Sequence, residues 1–399
     1  MKLETIRLQN FKTFKQVEMK DIPQFCVVVG ANGAGKSTLF DVFHFLKDCL
    51  TYNVTKAIQN RGGFHELISR GADGENIIIE IQYRLMLTGK NRLVTYLLEI
   101  GTTGSKAYVA REVLRYKRGA YGSPFHFLDF RNGTGYAISN EEDFDKEDEE
   151  LDKESQQIES SILAIKGLGQ FQKFKAANAL RQLIENWRVS DFHVTSARGA
   201  KDALGESEHL TASGDNLQLV VKNLYENYPQ IFKTILEKMQ ARVPGVADIE
   251  TQDTPDGRVL LKFRNGTFTD PFIDRYVSDG TIKMFAYLVL LHDPNPHPFL
   301  CIEEPENQLY PSLLMELAEE FRDYACRGGQ VFVSTHSPDF LNAAEIGEVF
   351  WLEKHGGFTR IIRAQDDEQV VAYMQEGDQM GYLWKQGFFG NVDPKADLK

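Results

Sequence analysis

The chain carries the stretch Gly30-Ala31-Asn32-Gly33-Ala34-Gly35-Lys36-Ser37-Thr38 between an apolar run at 25–29 and a helical pattern at 39–50. This stretch matches the pattern of a phosphate-binding loop in the strand–loop–helix context that such a loop needs. Glycines let the loop turn its amide N–H groups around phosphate oxygens, and the helix N-terminus adds partial positive charge. Lys36 would add a point charge and Ser37 a hydroxyl ligand for Mg²⁺. The stretch therefore predicts binding of a nucleoside triphosphate.

Length and composition narrow the class of protein. The chain has 399 residues, of which 42% are hydrophobic and 26% charged, as expected for a globular protein with one core and a large insertion. No apolar run approaches the roughly 20 residues of a membrane helix, and the first residues lack a signal-peptide core. We therefore expect a cytoplasmic protein with no membrane partner. The net charge of −12 argues against a broad nucleic-acid-binding surface, although it leaves a local basic groove open.

Hydrophobic periodicity predicts strands and helices on both sides of an irregular stretch at 119–159. Strands are expected at 2–9, 25–29, 76–85, 93–100, 107–116, 188–195, 246–251, 258–264, 299–303, 331–334, 348–353 and 359–364. Helices are expected at 39–50, 55–60, 160–187, 279–292 and 311–326, and one or two helices, interrupted by Pro229, at 216–242. Because strands and helices alternate in the second half, we predict an α/β fold with a mainly parallel sheet there.

Two glutamates, Glu303 and Glu304, follow the apolar strand that ends at Ile302. A carboxylate at the carboxyl end of a buried strand beside a phosphate loop is where Mg²⁺ is held. A second carboxylate directly after it can polarise the attacking water. Glu303 is thus the candidate Mg²⁺ ligand and Glu304 the candidate general base. The alternative is a pair of solvent-facing glutamates at a strand end.

Two further segments flank this pair in the sequence. Ser278, Asp279 and Gly280 open a helix ahead of it, where a serine or aspartate cap and a glycine-rich helix start make both an N-cap and an anion site. His336 follows the strand 331–334, where a sensor of the γ-phosphate would stand. Its alternative role is structural, as it is for most single histidines.

The ordered set GANGAGKST, VSDGT, CIEEPENQLYP and STHSP resembles the ATPase heads of the ABC superfamily, specifically the RecF/SMC-like and OLD-like bacterial AAA ATPases. The opening IRLQNFKTF is similar to the first strand and turn of the same group. The resemblance implies a P-loop NTPase of ABC-ATPase type, with a mixed β-sheet core and an inserted, largely helical lobe. It divides the chain into two parts of the head at 1–118 and 246–365, an insertion at 119–245 and a tail at 366–399.

The resemblance also implies a role for each matched residue. Residues 30–38 would cradle the phosphates of ATP, and Lys12 in the first turn would approach them. Ser278, Asp279 and Gly280 would be a signature segment that contacts the γ-phosphate bound by a second subunit. Glu303 would support Mg²⁺, Glu304 would activate water and His336 would be the switch histidine. The turn 306–311 would be the D-loop, which touches the partner across a dimer.

The chain departs from the family pattern at two places. Tyr310 stands where relatives often carry histidine. No glutamine occupies the expected Q-loop position in the segment 194–198, so one Mg²⁺ contact is in doubt, with Ser196 or Arg198 as substitutes.

A site shared between subunits implies a homodimer, or a higher oligomer, that closes around ATP and opens on hydrolysis. The 63 residues after His336 are too few for a Toprim nuclease domain. We therefore expect a separate nuclease or toxin as the effector, in anti-phage defence. One alternative is a RecF-like repair ATPase that binds DNA itself. Another is a nucleotide-dependent scaffold with negligible turnover.

Overall fold

The computed structural model describes residues 2–87, 89–104, 106–117, 124–140, 150–190, 192–202, 204–205 and 207–390. It contains two compact units. The first unit comprises residues 1–187, 346–378 and 383–399, and the second comprises 188–345 and 379–382. The predicted bounds of an insertion at 119–245 stay a prediction.

The elements up to residue 187 are nine strands and five helices among the described residues. They are β1 (Lys2–Phe11), β2 (Phe14–Met19), β3 (Phe25–Gly30), α1 (Lys36–Thr51), α2 (Val54–Gln59), α3 (Phe64–Leu67), β4 (Ile77–Leu87), β5 (Lys90–Thr103), β6 (Lys106–Tyr116), β7 (Phe125–Arg131), β8 (Thr134–Ile138), β9 (Lys153–Gln157), α4 (Ala164–Leu168) and α5 (Lys175–Glu185).

The remaining elements alternate between strands and helices. They are β10 (Trp187–Ser190), α6 (Val194–Ala197), β11 (Lys201–Asp202), α7 (Leu217–Asn227), α8 (Pro229–Arg242), β12 (Val246–Asp253), β13 (Arg258–Asn265), β14 (Phe272–Ile273), α9 (Asp279–Leu291), β15 (Phe299–Glu303), α10 (Pro311–Cys326), β16 (Gln330–Thr335), α11 (Pro338–Leu341), β17 (Val349–His355), β18 (Phe358–Arg363), α12 (Glu368–Glu376) and α13 (Met380–Lys385).

An eight-stranded sheet in the first unit has the order β2-β1-β4-β5-β6-β7-β8-β9. All seven pairs of neighbouring strands in it are antiparallel, with registers such as Ile81 opposite Tyr96 in β4 and β5. Buried and more exposed positions alternate along much of these strands, as they do when one face packs on a core. The strands predicted at 76–85, 93–100 and 107–116 are confirmed, and they pair one after another in chain order.

The strand ahead of the phosphate loop belongs to a different sheet. β3 is buried along its whole length and pairs parallel with β17, with Val28 opposite Phe350. β17 in turn pairs antiparallel with β18. A strand that is buried on both faces reads as a continuous apolar run, which is why FCVVV is recognisable in the sequence.

In the second unit, β15 pairs parallel with β16, so that Glu303 lies opposite Ser334. Helix α9 precedes them and is almost entirely apolar apart from its first turn and Lys283, with every residue from Ile282 to Leu291 buried. A helix of this composition lies inside a core. The carboxyl ends of β15 and β16 therefore meet at one edge of the sheet, and the predicted carboxylate pair and His336 follow these two ends.

Three predictions about secondary structure were wrong. In place of one helix at 160–187, the chain forms α4 and α5, and β10 begins at Trp187. The stretch 119–159 contains β7, β8 and β9, apart from residues 119–123 and 141–149, which lie outside the described residues. Its hairpin signal is Asn132-Gly133, where both residues have positive φ (48° and 78°), as a two-residue type I′ turn requires. The strand predicted at 188–195 ends at Ser190, and residues 194–197 form α6 instead.

Among the helices of the described residues, none combines the length and the apolar character needed to cross a membrane.

Candidate functional site

The phosphate loop (residues 30–38) lies in the first unit, between β3 and α1. Gly33 and Gly35 adopt positive φ values of 77° and 111°, which β-branched or bulky residues rarely tolerate. Lys36 is only 7% exposed, and its Nζ donates hydrogen bonds to the carbonyl oxygens of Gly30 (2.6 Å) and Ala31 (3.3 Å). The lysine thus bends back over its own loop. Its contact with a phosphate stays a prediction.

Two neighbouring strands hold the loop in place. A Cβ on Gly30 would lie 2.9 Å from the carbonyl oxygen of Leu352 on β17. A Cβ on Gly35 would lie 2.8 Å from Oγ1 of Thr359 on β18. The buried Thr359 hydroxyl donates to the carbonyl oxygen of Ala34 at 2.8 Å and lies 3.0 Å from Oγ1 of Thr13. Both glycines are therefore needed for packing, and Gly35 also for its backbone conformation. Thr359 was missed by sequence reasoning.

Ser37, the predicted Mg²⁺ ligand, is exposed in the first turn of α1. Lys12 lies in the turn after β1 and forms an ion pair with Asp41 of α1 at 2.6 Å. Arg61 contacts the same carboxylate at 2.8 Å and also Asp48 at 2.7 Å. Lys12 is thus placed along the side of α1, and its approach to a phosphate stays a prediction.

The predicted general base and switch histidine lie together in the second unit. Nδ1 of His336 is 3.1 Å from Oε1 of Glu304, although 32 positions separate the two residues in the sequence. Glu304 has a positive φ of 43°, and its N–H donates to the carbonyl oxygen of Ser334 at 2.9 Å. The side-chain amide of Asn307 donates to Oε2 of Glu304 at 3.1 Å. The strained backbone of Glu304 is thus fixed by β16, and its carboxylate by the turn that follows.

Glu306 organises this edge, and sequence reasoning gave it no role beyond the turn. Its side chain is 8% exposed, and Oε1 accepts hydrogen bonds from the Thr335 hydroxyl (2.7 Å) and the His336 N–H (3.0 Å). Nδ1 of His336 lies 3.5 Å from the same oxygen. Because a buried carboxylate needs such donors, Glu306 fixes the backbone that presents the switch histidine. The signal in the sequence was a third carboxylate, two residues after Glu304.

Lys283 completes the support of the turn from helix α9. It is 4% exposed, and its Nζ donates to the carbonyl oxygen of Asn307 at 2.6 Å. Burial lowers the pKa of Lys283 to about 8, and the negative charges of Glu306 and Glu304 partly oppose that shift. The carboxylate turn (residues 303–310) is therefore held by a buried cation beneath it.

The signature segment opens α9 as predicted. Ser278 is the N-cap, and its Oγ accepts a hydrogen bond from the N–H of Thr281 at 3.2 Å. The carboxylate of Asp279 accepts a hydrogen bond from Arg198. A Cβ on Gly280 would lie 2.9 Å from the carbonyl oxygen of Gln308. Gly280 therefore allows the helix start and the carboxylate turn to touch.

Arg198, a suggested substitute for the Q-loop glutamine, follows α6 rather than a strand. Besides Asp279, its guanidinium donates to the carbonyl oxygens of Arg275 (2.8 Å) and Asp274 (3.3 Å). These contacts place it at the start of α9, beside the signature segment. Its contacts thus give Arg198 a role in holding the signature segment, and a role as an Mg²⁺ contact stays a prediction, as it does for Ser196.

The structure thus collects the predicted residues into two sets. The first unit holds the phosphate loop and Lys12. The second unit holds the signature segment and, at the carboxyl ends of β15 and β16, Glu303, Glu304 and His336. Each set fits a nucleotide and its metal: the first offers a buried lysine and glycine-rich amides to phosphate, and the second offers carboxylate oxygens, which Mg²⁺ prefers.

Comparison with known proteins gives one family and several relatives. A family model described as "AAA domain, putative AbiEii toxin, Type IV TA system" matches residues 25–342, well over half of the chain. A curated relative, the DNA replication and repair protein RecF of Idiomarina loihiensis, is 28% identical over 82 residues. That match covers 21% of this chain and 21% of RecF, so the chain matches about a fifth of that relative's length.

Two solved structures of Smc heads are similar over nearly the whole chain. One is the Smc head bound to the C-winged helix domain of ScpA, with a TM-score of 0.55, 12% identity, and coverage of 91% of this chain and 97% of that one. The other is the Smc head domain with an extended coiled coil bound to the C-terminal domain of ScpA, derived from Pyrococcus furiosus. It has a TM-score of 0.51, 11% identity, and coverage of 94% and 99%.

At these identities the Smc heads show a shared fold, that of a P-loop ATPase of ABC type. The predicted α/β fold class is confirmed. The family match contributes what the structural likeness alone does not, because it spans both the phosphate loop and the carboxylate turn. The chain belongs to this AAA family, and with it to the ABC-type ATPases of the RecF/SMC-like kind.

Proposed function

We propose that this chain binds and hydrolyses ATP with Mg²⁺, dimerises around the nucleotide and thereby switches a separate effector protein, in anti-phage defence. The observation that carries the proposal is the contact between Glu304 and His336 at the carboxyl ends of two parallel strands. A carboxylate beside a histidine at this place suits activation of a water and sensing of a γ-phosphate.

The roles of the residues follow from their chemistry. Lys36 and the amides of the phosphate loop bind the phosphates, and Ser37 with Glu303 supplies oxygen ligands to Mg²⁺. Glu304 takes a proton from the attacking water, and His336 contacts the γ-phosphate. The assignment of residues from both units to one nucleotide rests on the order of the motifs in the sequence and on the family match.

Dimerisation is supported by what the second unit exposes. Ser278 caps α9 with its side chain at the surface, as a contact to another subunit's phosphate requires. Tyr310, in the turn predicted to be the D-loop, is 74% exposed, and Tyr276, just before the signature segment, is 75% exposed. Exposed aromatic side chains next to a polar helix start are typical of a surface that meets a partner.

The effector is proposed from the relatives. The family description refers to a putative toxin of a toxin–antitoxin system, and the two Smc heads are bound to domains of ScpA. A head that opens and closes with ATP and acts on a second protein agrees with both. The OLD-like assignment and the role in defence stay predictions. Phage plating efficiency on cells that express the chain with its neighbouring genes, in wild-type form and as Glu304→Gln, tests the role in defence.

The direct test of the chemistry is Glu304→Gln, which keeps the shape of the side chain and removes the base. We expect turnover to fall at least about 1000-fold while ATP binding persists, so that an ATP-bound dimer accumulates. ATPase rates and light scattering with ATP would measure this. Glu319→Gln, at an exposed position of α10, is the matched control. Normal hydrolysis by Glu304→Gln would show that the base is assigned wrongly.

A second variant separates a shared site from one complete in each subunit. Ser278→Arg places a large charged side chain at the N-cap of α9. We expect it to abolish turnover and dimer formation while each chain still binds ATP, as equilibrium dialysis would measure. Unchanged turnover would exclude the shared site. If wild type itself binds ATP without turnover, the scaffold alternative holds.

The match to RecF, a DNA replication and repair protein, favours one other function, ATP-dependent DNA binding. The net charge of −12 opposes it. Binding to duplex DNA with and without ATP, over a range of salt concentrations, distinguishes the two. A steep loss of ATP-dependent affinity with salt would favour the RecF-like function.

A further inference from the structure

A cluster of two histidines and one aspartate lies in the second unit, apart from the proposed nucleotide residues. His209, Asp293 and His297 each place one possible ligand atom within 4.8 Å of the others. Nδ1 of His209 is 2.7 Å from Oδ2 of Asp293, and the two imidazole rings are 5.0 Å apart between centroids. The three side chains come from two distant segments, so their convergence is a product of the fold.

Each member of this histidine–aspartate cluster is held by a hydrogen bond from another residue. The two histidines accept through their backbone carbonyl oxygens, and Asp293 accepts through Oδ1. The side chain of Asn216 donates to the carbonyl oxygen of His209 at 2.8 Å. The Tyr324 hydroxyl donates to the carbonyl oxygen of His297 at 2.5 Å. The N–H of Asn295 donates to Oδ1 of Asp293 at 2.8 Å, which leaves Oδ2 directed at His209. Such outer contacts orient metal ligands in proteins.

The loop that carries two of the three residues has the sequence Asp293-Pro294-Asn295-Pro296-His297-Pro298. Each proline has its φ fixed near −65° and restricts the backbone of the residue before it. Pro294 restricts Asp293 in this way, and Pro298 restricts His297. The loop is therefore stiff before any ligand binds. A stiff loop loses little conformational entropy when its side chains are fixed around an ion.

The carboxylate of Asp293 is buried but borders an open cavity. Its side chain is only 4% exposed. Asp293 lines a cavity of about 710 Å³ together with Tyr324 and Arg327, so one of the three ligands borders space that an ion can enter.

From this geometry we infer that His209, Asp293 and His297 bind a zinc ion, with water in the fourth position. Two imidazoles and a carboxylate are ligands that Zn²⁺ accepts, whereas Mg²⁺ prefers an all-oxygen shell. The site lies at the opposite end of β15 from Glu304, since His297 precedes that strand and Glu304 follows it. A strand of this length spans roughly 16 Å, so the zinc is separate from the proposed magnesium.

The zinc would join two segments that both meet α9. Arg198 contacts Asp279 at the amino end of α9, and His209 contacts Asp293 just beyond its carboxyl end. The segment between Arg198 and His209 is thus attached at both ends of the helix that carries the signature segment. Zinc at one end would stiffen this attachment and so stabilise the second unit.

The test uses the full chain after treatment with EDTA and dialysis. We expect about one Zn²⁺ per chain, measured by elemental analysis and by competition with a chromophoric chelator. We expect Co²⁺ to give the visible absorption of a tetrahedral site, and Zn²⁺ to raise the melting temperature by several degrees. His209→Ala and His297→Gln should each weaken Zn²⁺ binding at least about 100-fold, whereas His355→Ala, at an exposed histidine, should not.

Asp293→Asn is the variant least disturbing to the fold, because it keeps an acceptor for the Asn295 N–H. It should also weaken Zn²⁺ binding while leaving the circular dichroism of the metal-free chain unchanged. Zinc bound at well under one equivalent by the wild type, or bound equally by wild type, His209→Ala and His297→Gln, would overturn the proposal. Either outcome would mean that the His209–Asp293 contact is an ordinary ion pair.

Discussion

The phosphate loop and the carboxylate turn both follow a buried strand, yet they are held in different ways. The phosphate loop is shaped by its own backbone, through glycines at positive φ and a lysine that bends back onto Gly30 and Ala31. The carboxylate turn is shaped by buried charged side chains, Glu306 within the turn and Lys283 of α9 beneath it. The comparison shows why one region is recognisable from nine consecutive residues while the other depends on contacts that the sequence does not display.

The largest expected effect is in the carboxylate turn. Glu306→Ala would leave the Thr335 hydroxyl and the His336 N–H without their acceptor in a buried place. We expect the free energy of unfolding to fall by about 4 kcal/mol and turnover to fall at least about 100-fold. Urea unfolding and ATPase rates measure both. Glu306→Gln keeps one acceptor oxygen and should lose less of both the free energy of unfolding and the turnover. Wild-type stability of the alanine variant would show that side chains do not hold the turn.

A buried carboxylate in the first unit, Glu112, differs from Glu306 and Lys283, because no cation is among its hydrogen-bonding partners in the described part of the chain. Glu112 accepts hydrogen bonds from the N–H groups of Ala164 (2.5 Å) and Ile165 (3.0 Å) and from the Tyr96 hydroxyl (3.1 Å). Burial nevertheless raises the pKa of Glu112 to about 7. The folded state therefore binds the proton more tightly than the unfolded state does.

The sign of the pH effect follows from that raised pKa. The stabilising contribution of protonated Glu112 is fully present below its ordinary pKa of 4.5 and is lost as the pH rises to about 7. The free energy of unfolding therefore falls by about 3 kcal/mol as the pH rises through this range. Urea unfolding at pH 5 and pH 8 would measure it, and Glu112→Gln should remove that part of the pH dependence. An unchanged dependence in the variant would assign the effect to other groups.

Lys283 tests whether the turn needs the cation beneath it. Lys283→Met keeps the apolar stem and removes the donor to the carbonyl oxygen of Asn307. We expect a loss of about 2 kcal/mol in the free energy of unfolding, with a smaller loss for Lys283→Arg, which keeps a donor. Equal losses in the two variants would mean that packing, and not the hydrogen bond, is what matters.

The smallest effect is expected in the phosphate loop. Thr359→Val keeps the shape of the side chain and removes the hydroxyl that donates to the carbonyl oxygen of Ala34. Because the glycine backbone already defines the loop, we expect ATP affinity to fall only about fivefold, or about 1 kcal/mol. Titration calorimetry measures this, with Thr359→Ser as the control that restores the hydroxyl. A loss as large as that of Glu306→Ala would remove the contrast between the two regions.

Much of the fold could be predicted from local pattern. The bounds expected for helix 311–326 and strand 299–303 agree with α10 and β15 as the structure has them. Predictions failed where local signals conflicted, as at 119–159, whose composition suggested an irregular stretch despite the Asn132-Gly133 turn.

The residues of the candidate site likewise differ in how far the sequence predicts their roles. The phosphate loop and the carboxylate pair can be recognised from their residue types and from their position next to an apolar strand. The role of Thr359 could not be predicted, because it contacts Ala34 across 325 positions of sequence. That of Glu306 could have been suspected from its place in the run 303–306, but its partners Thr335 and His336 come from β16 and the residue after it. Long-range pairings of this kind depend on topology, which periodicity does not encode.

The contact at Gly280 has a mechanical consequence. Its missing side chain leaves room for the carbonyl oxygen of Gln308, a residue itself held at a φ of 68°. The start of α9 and the carboxylate turn thus touch as two rigid parts with no compressible side chain between them. A displacement of the signature segment would therefore also shift the turn, and Glu304 with it. Under the proposed function, binding of a second subunit would displace the general base. The contact between subunits would then determine when hydrolysis occurs.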